Sequence, residues 1–406
     1  MPSLTTPKQK SEYTFKYNIS LARHGWLRLT PAYSVKLVDE ILKNYRMHNL
    51  LVFDPFSGTG TTGIVAAMQG HNAILCEINP FLVWVANQKA RNYTESERTK
   101  VLEVSSKIIL DTYKYIDKQN WIPSIFNIHR WWSKETLKII SALRASIVSN
   151  VDEHACNKFG LIWIAFCRII IETSSVAFNH VSMSFNEATV NYEYDSVLNN
   201  FIKTVKSLVE STKDDIIGSI SIIHNDSRNS NGLLNNIGLV ITSPPYPNRI
   251  SYIRELRPYM YWLKYITNST DASYIDWNTI GGTWGSATSN LLSWKPSSKI
   301  DFPLLNDIVT RIEKTGKENS KLMSVYVYKY FSDMCQHIRN LYPALNVGAK
   351  IYYIIGNSTF FDVHVDSSSL YKEIFKMNGF SKIKSEIIRK RNCKKELYEY
   401  CVSAIK

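Results

Sequence analysis

The sequence LLVFDPFSGTGTTGIVAAMQG, residues 50–70, predicts a strand, a glycine-rich turn and a helix in direct succession. An apolar run of strand length opens this stretch, and small residues continue from the turn to Met68. A second apolar run, 73–76, ends in Glu77 and precedes a predicted helix at 81–89. Such alternation is typical of a mostly parallel sheet with helices on both faces. We therefore predict a doubly wound α/β fold.

The strand-helix alternation is interrupted twice along the chain. Residues 92–218 carry apolar residues at helical spacing and predict a helical insertion. Residues 268–321 are rich in glycine, serine, asparagine and tryptophan and predict a second, loop-rich insertion. The remaining segments, 1–91, 219–267 and 322–406, are predicted to form one catalytic domain, with two short strands at its C-terminal end.

The glycine turn matches the G-x-G-x-x-G pattern of nucleotide-binding turns at Gly58, Gly60 and Gly63. Glycines let the backbone approach a nucleoside closely, and Glu77 ends the next strand, where a carboxylate can accept both ribose hydroxyls. This pattern fits S-adenosylmethionine and a dinucleotide equally. Asp54 favours the former, because a carboxylate attracts its cationic methionine end and repels a pyrophosphate. A turn or capping role for Asp54 is the alternative.

Residues 242–246, TSPPY, follow the apolar run 239–241 and therefore lie at the carboxyl end of a predicted strand, where open α/β sheets bind ligands. Two consecutive prolines remove two N–H donors and leave carbonyl oxygens free to accept. The Ser243 side chain and the Pro244 carbonyl can each accept one N–H of an exocyclic amine, and the Tyr246 ring offers a stacking face to a flipped-out base. A Pro-Pro turn with a core tyrosine is the alternative.

These motifs resemble those of the DNA amino-methyltransferases. DPFSGTGTT is similar to the family's cofactor motif, and TSPPY to the form of its catalytic tetrad usually found in N4-cytosine enzymes. RHGWLRLTPAYS, ILCEINP and HNDSR are similar to further cofactor-binding segments, and the C-terminal stretch to the later strands and helices. The resemblance covers both ends and the middle of the chain.

The resemblance implies a seven-stranded Rossmann-like methyltransferase sheet, S-adenosyl-L-methionine as cofactor and double-stranded DNA as partner. Together with the motifs above it indicates ten cofactor-binding residues: Thr30, Pro31, Asp54, Pro55, Phe56, Gly58, Gly60, Thr61, Glu77 and Asp226. The catalytic residues it indicates are Ser243, Pro244, Pro245 and Tyr246, with Pro245 shaping the turn. No metal ligand is predicted.

The predicted reaction is a direct methyl transfer to cytosine N4, without a covalent enzyme intermediate. N6-adenine methylation of DNA is the nearest alternative, since one pocket design can serve either amine. More distant alternatives are methylation of an amine in RNA or protein, a NAD-dependent oxidoreductase that uses the glycine turn, and a non-catalytic DNA-binding paralogue. C5-cytosine chemistry is not expected, because in that family the cysteine nucleophile follows a proline and no cysteine here does.

Composition adds three expectations. With 48 lysines and arginines against 35 acidic residues, the net charge of +13 favours a polyanionic partner, although a merely basic protein is equally compatible. Six cysteines without a C-x-x-C pair fit a reducing cytoplasm, and the prokaryotic nucleoid is the expected location. The most apolar stretch, 159–178, is interrupted by Arg168 and Glu172, so no membrane span is predicted. A cognate restriction endonuclease would be a separate chain.

Which insertion recognises DNA stays open. Basic residues that could contact phosphates, or could equally be exposed or ion-paired, occur in the first insertion and just after the tetrad: Arg130, Lys134, Lys138, Arg249, Arg254 and Arg257. The composition of the second insertion suits a loop that becomes ordered on a partner.

Overall fold

The computed structural model describes residues 11–29, 32–45, 50–153, 157–177, 184–230, 232–248, 251–282, 286–296, 300–391 and 397–406. Within these ranges the strands are β1 (Leu51–Asp54), β2 (Asn72–Glu77), β3 (Val176–Ala177), β4 (Ser184–Phe185), β5 (Ile220–His224), β6 (Ile237–Thr242), β7 (Leu345–Gly356), β8 (Ser358–Phe360), β9 (Val363–Val365), β10 (Ser381–Lys390) and β11 (Tyr398–Ile405). The α-helices are α1 (Phe15–Asn18), α2 (Val35–Leu42), α3 (Thr61–Met68), α4 (Pro80–Ala90), α5 (Glu95–Thr112), α6 (Lys134–Val151), α7 (Gly160–Glu172), α8 (Tyr194–Glu210), α9 (Tyr252–Trp262), α10 (Ser269–Asn278), α11 (Ser286–Ser293), α12 (Pro303–Lys314), α13 (Ser320–Leu341) and α14 (Ser367–Met377). Short 3-10 helices lie at Ser11–Tyr13, Ala22–Gly25, Ile128–Arg130, Asn157–Phe159, Ser227–Asn229 and Tyr342–Ala344.

Seven strands form one sheet in the order β10-β11-β7-β6-β1-β2-β5. β1 pairs in parallel with β2 and β6, and the parallel pairing continues to β5 on one side and β7 on the other. Only β11 runs against its neighbours in this sheet, β7 and β10. The predicted mostly parallel, seven-stranded methyltransferase sheet is therefore confirmed. The two C-terminal strands, predicted to be short, contain ten and eight residues.

Helices cover both faces of the sheet because neighbouring strand residues point to opposite sides. Val52 belongs to an apolar cluster formed with α2 and α3. Phe53, the next residue on β1, belongs to a cluster formed with α12, α13 and α14. Both side chains are fully buried. The doubly wound arrangement follows from this alternation, and it leaves the carboxyl ends of the parallel strands along a single edge.

The first insertion is helical, as predicted, and contributes α5 to α8 together with the small β3–β4 hairpin. Its core is continuous with that of the catalytic domain. The Trp262 ring, at the end of α9, lies 5.8 Å from the rings of both Trp132 and Phe166 and 6.1 Å from that of Trp121. A buried tryptophan removes roughly 150–250 Å² from water. The insertion is therefore fixed to the catalytic half through shared aromatic packing.

Arg23 holds together the two ends of this insertion. Its guanidinium is completely buried and donates to the carbonyls of Lys89 (3.1 Å), Thr212 (3.2 Å) and Asp214 (2.9 Å), and also to that of Arg91. Burial lowers the pKa of the Arg23 guanidinium. The group nevertheless stays protonated at any physiological pH, because an arginine pKa starts above 12. The N-terminal segment thus closes the point where the chain leaves the sheet and returns to it.

The most apolar helix, α7, is enclosed by the insertion's own helices and by α9. Every residue from Leu161 to Cys167 is fully buried. With 13 residues, α7 is shorter than the roughly 20 that a bilayer core requires. Among the described residues, no helix combines the length and apolarity needed to cross a membrane.

The second insertion differs from its prediction. Residues 268–321 were expected to be loop-rich, but α10, α11 and α12 account for most of the segment, and the prediction is wrong there. A capping box between Asn268 and Asp271 starts α10, and a proline in the first turn starts α12. Leu305, Ile308 and Ile312 bury one face of α12 in the cluster that includes α13. The local capping and periodicity outweighed the loop-like composition.

Candidate active site

The carboxyl ends of β1, β2 and β6 meet at one edge of the sheet and bring the two sequence motifs together. Asp54 ends β1, Glu77 ends β2 and Thr242 ends β6. Thr242 Oγ1 donates a 2.5 Å hydrogen bond to Asp54 Oδ1, across 188 residues of sequence. The glycine turn that follows Asp54 and the tetrad that follows Thr242 are therefore fixed relative to each other.

Asp54 is the centre of this junction. Its side chain is fully buried, and besides Thr242 it accepts from Thr62 Oγ1 at 2.6 Å, the Phe56 N–H at 3.0 Å and the Tyr33 hydroxyl at 3.3 Å. Burial raises the pKa of this carboxyl, although the hydrogen bonds oppose the shift. These contacts are those of an anchor between strands and turn. A direct approach of Asp54 to a cofactor's cationic end stays a prediction.

The glycine turn leaves space beside its backbone. Gly58 and Gly60 have φ values of 52° and 85°, a region that glycine adopts without the penalty of a side chain. A Cβ on Gly58 would meet no atom within 4 Å, so the turn faces an open volume there. The neighbouring Ser57 Oγ is buried and has no hydrogen-bond partner among the described residues. Ser57 was not predicted as a site residue; its buried hydroxyl is available to a ligand or a water molecule beside the turn.

The Glu77 side chain, at the end of the adjacent strand β2, binds the glycine turn through a hydrogen bond. One carboxylate oxygen accepts from the Gly58 N–H at 2.9 Å, and the other accepts from the Asn79 N–H at 2.8 Å. Burial raises the pKa of Glu77 to about 7, with the backbone hydrogen bonds opposing. A carboxylate offers about four lone-pair sites, so two stay available for ribose hydroxyls.

Asp226 and Phe56 form another part of this edge. Two nitrogens of the Arg228 guanidinium donate to Asp226 Oδ2, Nε at 3.0 Å and Nη2 at 2.6 Å. Arg228 also forms an ion pair with Asp333 at 3.1 Å. The Phe56 ring meets that of His337 edge-on at 4.9 Å. Burial lowers the pKa of His337 to about 4, which keeps this ring neutral at physiological pH. The predicted contact of Asp226 with an adenine amine would use a lone pair that Arg228 leaves free.

The N-terminal segment lines a cleft beside the glycine turn. Thr59 and Thr61 form one wall, and Leu29 and Ala32 belong to the other. The predicted residues Thr30 and Pro31 lie outside the described residues, between these last two. The segment predicted to cover the methionine end of a cofactor is therefore next to the turn.

The tetrad presents acceptors toward the same edge. Ser243 Oγ donates to the Ile354 carbonyl at 3.2 Å, and the Pro245 carbonyl accepts from the Tyr330 hydroxyl at 2.6 Å. Among the residues that the structure describes, none donates to the Pro244 carbonyl. Of the two proline carbonyls, that of Pro244 is thus available to accept, whereas that of Pro245 is already bonded to Tyr330; acceptance from a substrate stays a prediction.

The Tyr246 ring packs against the end of β7. A Cβ on Gly356 would lie 2.7 Å from this ring, so only glycine fits there. The Arg391 guanidinium lies 5.6 Å from the ring centroid, and the Ser243 and Glu399 side chains lie close enough to the Tyr246 hydroxyl to affect its pKa. Burial raises the pKa of Tyr246. These three neighbours, Gly356, Arg391 and Glu399, were not predicted, because they join the tetrad only through the pairing of β7, β10 and β11.

Residues 7–88, which include the glycine turn and Glu77, match the family model described as DNA methylase. The chain is also similar to the Type II methyltransferase M.BsoBI of Geobacillus stearothermophilus, with 23% identity over 269 residues, 59% of this chain. These two comparisons support the DNA amino-methyltransferase family for this chain. The chain covers 52% of the relative, so it spans about half the length of the curated protein it matches.

The basic residues expected to contact phosphates divide into two groups. In the first insertion, Lys138 pairs with Asp117 at 2.8 Å and the Arg130 guanidinium lies 4.3 Å from the centroid of the Phe185 ring. Lys134, at the start of α6, is exposed. After the tetrad, α9 carries two partly exposed arginines, Arg254 and Arg257, whereas Arg249 lies outside the described residues.

Proposed function

We propose that this chain transfers a methyl group from S-adenosyl-L-methionine to the N4 amine of a flipped-out cytosine in double-stranded DNA. One observation carries the proposal. Two acceptors, the Ser243 oxygen and the free Pro244 carbonyl, follow the strand end that Asp54 ties to the glycine turn. An amine acceptor site and a nucleoside-binding turn on one sheet edge are what amine methylation requires.

The residues of the turn fit the cofactor. Gly58 leaves room for a ligand beside its backbone, Ser57 Oγ is a buried group in need of a partner, and Glu77 retains lone pairs for two hydroxyls. Thr59 and Thr61 line the adjoining cleft. When bound, S-adenosylmethionine supplies a methyl group on a sulfonium centre.

The tetrad would prepare the amine. An exocyclic amine is a poor nucleophile because its lone pair is delocalised into the ring. Acceptance of its two N–H groups by Ser243 and Pro244 favours a pyramidal nitrogen with a localised lone pair. The Tyr246 ring would stack on the base and keep its amine facing the methyl group of the cofactor. In a single displacement the amine held by Ser243 and Pro244 would take up the methyl group that the bound cofactor supplies, the cofactor's sulfur would keep the electron pair of the carbon–sulfur bond, and the proton lost from nitrogen would pass to solvent water.

Cytosine is preferred over adenine because the tetrad resembles the serine form usually found in N4-cytosine enzymes. The same two acceptors can serve an adenine N6 amine, which makes N6-adenine methylation the second candidate. The net charge of +13 supports DNA as the partner.

The similarity to a protein named as a Type II methyltransferase supports a role in restriction-modification. The cognate restriction endonuclease would be a separate chain, and the protein would act in the cytoplasm on the nucleoid.

Nucleoside mass spectrometry on unmethylated duplex DNA, incubated with the protein and S-adenosylmethionine, tests the proposal. Ser243→Ala serves as the matched control. We expect N4-methylcytosine with the wild type and a strongly reduced yield with the variant. N6-methyladenine would overturn the assignment of the base, and the absence of any methylated base would overturn DNA as the substrate.

A further inference from the structure

Glu399 lies beside the tetrad although it is more than 150 residues away in sequence. It is the second residue of β11 and pairs in register with Gly356 of β7. Gly356 is the residue whose missing side chain makes room for the Tyr246 ring. The strand register therefore places the Glu399 carboxylate beside the Tyr246 ring, and the two side chains interact there.

The carboxylate of Glu399 is held in place and oriented as an acceptor. Only 8% of the residue is exposed, and both oxygens accept from Arg389, at 2.7 Å from Nε and 2.6 Å from Nη2. Among the described residues, the charged and titratable groups that act on it are Arg389 of β10, Arg391 just after β10, and Tyr246 of the tetrad. Burial raises the pKa of Glu399, and the two hydrogen bonds from Arg389 oppose that shift because they favour the ionised carboxylate, which offers lone pairs and no hydrogen to Tyr246.

A hydroxyl has only one hydrogen to donate. The group to which Tyr246 donates therefore decides whether its oxygen can accept from Ser243. If Tyr246 donates to Glu399, the Tyr246 oxygen can only accept from Ser243. The Ser243 hydrogen then points to Tyr246 or to the Ile354 carbonyl, and its lone pairs are left for a substrate amine. Without the carboxylate, the Tyr246 hydrogen would turn to the other side chain that interacts with it, the Ser243 hydroxyl, and would compete with that amine.

We propose that Glu399 is a positioning residue, which orients the Tyr246 hydroxyl so that Ser243 acts as a hydrogen-bond acceptor toward the base. This proposal rests on the proposed function. In this proposal the Arg389–Glu399 ion pair between β10 and β11 also holds the carboxylate in the orientation that Tyr246 needs.

Glu399→Gln gives a sharp test, because the amide replaces one of the two acceptor oxygens by an N–H₂ donor and can no longer accept from both Arg389 nitrogens and from Tyr246. We expect kcat to fall about tenfold, the scale of one misdirected hydrogen bond, with KM for DNA and the cofactor Kd unchanged. In a Tyr246→Phe background the same substitution should change kcat less than twofold, because no phenolic hydrogen is left to redirect.

Glu399→Asp is the second variant, since it keeps a charge for Arg389 but shortens the reach to Tyr246. It should show the same dependence on the Tyr246 hydroxyl, and cofactor affinity reports on folding for every variant. An equal loss of kcat in both backgrounds, with an active wild type, would overturn the role of Glu399 alone. A wild type that methylates no DNA would overturn the proposed function, and this inference with it.

Discussion

Thr242 Oγ1 and Asp54 Oδ1, 2.5 Å apart, form a direct hydrogen bond between β6, which leads into TSPPY, and β1, which leads into the glycine turn. Asp54 is fully buried, so each donor that it loses leaves a desolvated carboxylate undercompensated. In the proposed function, this contact would also set the distance between the methyl donor and the amine. Its removal therefore tests both the stability of the protein and the geometry of the proposed site.

Thr242→Val should lower the free energy of unfolding by about 1–3 kcal/mol, because it removes one donor from a buried carboxylate. It should also lower kcat, because the tetrad loses its tie to the turn. Urea denaturation and single-turnover methylation measure the two effects. Thr242→Ser keeps the hydroxyl and should stay near wild type, whereas a fully stable Thr242→Val would show that the bond contributes little.

Cofactor affinity should rise with pH and level off above about 7. The folded pKa of Glu77 is raised to about 7, and ribose hydroxyls donate only to lone pairs that the ionised form offers in full. Below that pH the carboxyl must first lose its proton, so affinity should fall by up to roughly tenfold per unit. Calorimetric titration between pH 6 and 8.5 measures this. Glu77→Gln should bind weakly and without pH dependence; a sloping profile in that variant would assign the titration to another group.

Gly58→Val should abolish cofactor binding while the protein still folds. The added side chain would enter the open volume beside the turn, and φ at this position costs an L residue roughly 1–2 kcal/mol. Gly316→Val is a matched control, because Gly316 has φ 62°, equally open surroundings and a position between α12 and α13. Both variants should lose similar stability, but only the first should lose affinity in calorimetry. Unchanged affinity in Gly58→Val would remove the turn from the site.

Tyr246→Ala should weaken methylation at least tenfold and leave cofactor binding nearly intact, because the ring is expected to contact the base and not the cofactor. Calorimetry and methylation rates separate the two. Lost cofactor affinity would show that the roles are wrongly assigned.

Gly356→Ala should also slow methylation, since its Cβ would lie 2.7 Å from the Tyr246 ring and displace it. In the Tyr246→Ala background the same substitution should have no further effect on kcat, because the Cβ then has room. Methylation rates of the two single variants and the double variant measure this. A further loss in the double variant would mean that Gly356 acts through β7 itself.

The sheet and the glycine turn could be predicted because their signals are local. Apolar runs of strand length, a glycine turn and a following helix fix β1, α3 and β2 within one or two residues. The relation of Asp54 to Thr242 could be expected only in outline, from the rule that parallel strands end at one edge. Their direct hydrogen bond depends on strand order, which the sequence pattern does not state.

The surroundings of Tyr246 could not be predicted from the sequence. Glu399 joins Tyr246 through the register of β11 on β7, and Arg391 joins it through the antiparallel pairing of β10 with β11. Register is set by the packing of whole strands rather than by a motif. The wrong prediction of a loop-rich segment at 268–321 has a local cause instead. Its glycine and serine content was given more weight than the capping box that starts at Asn268.

The aromatic packing around Trp262 limits how this protein could be re-engineered. A transplant of residues 92–218 into another scaffold, or their excision, would separate Trp132 and Phe166 from Trp262 and expose a broad apolar surface on both pieces. Such surfaces promote aggregation. A chimaera would need to carry α9 with the insertion, and α9 begins only six residues after Tyr246. The insertion and the catalytic loop are thus inherited as one unit and would have to change together.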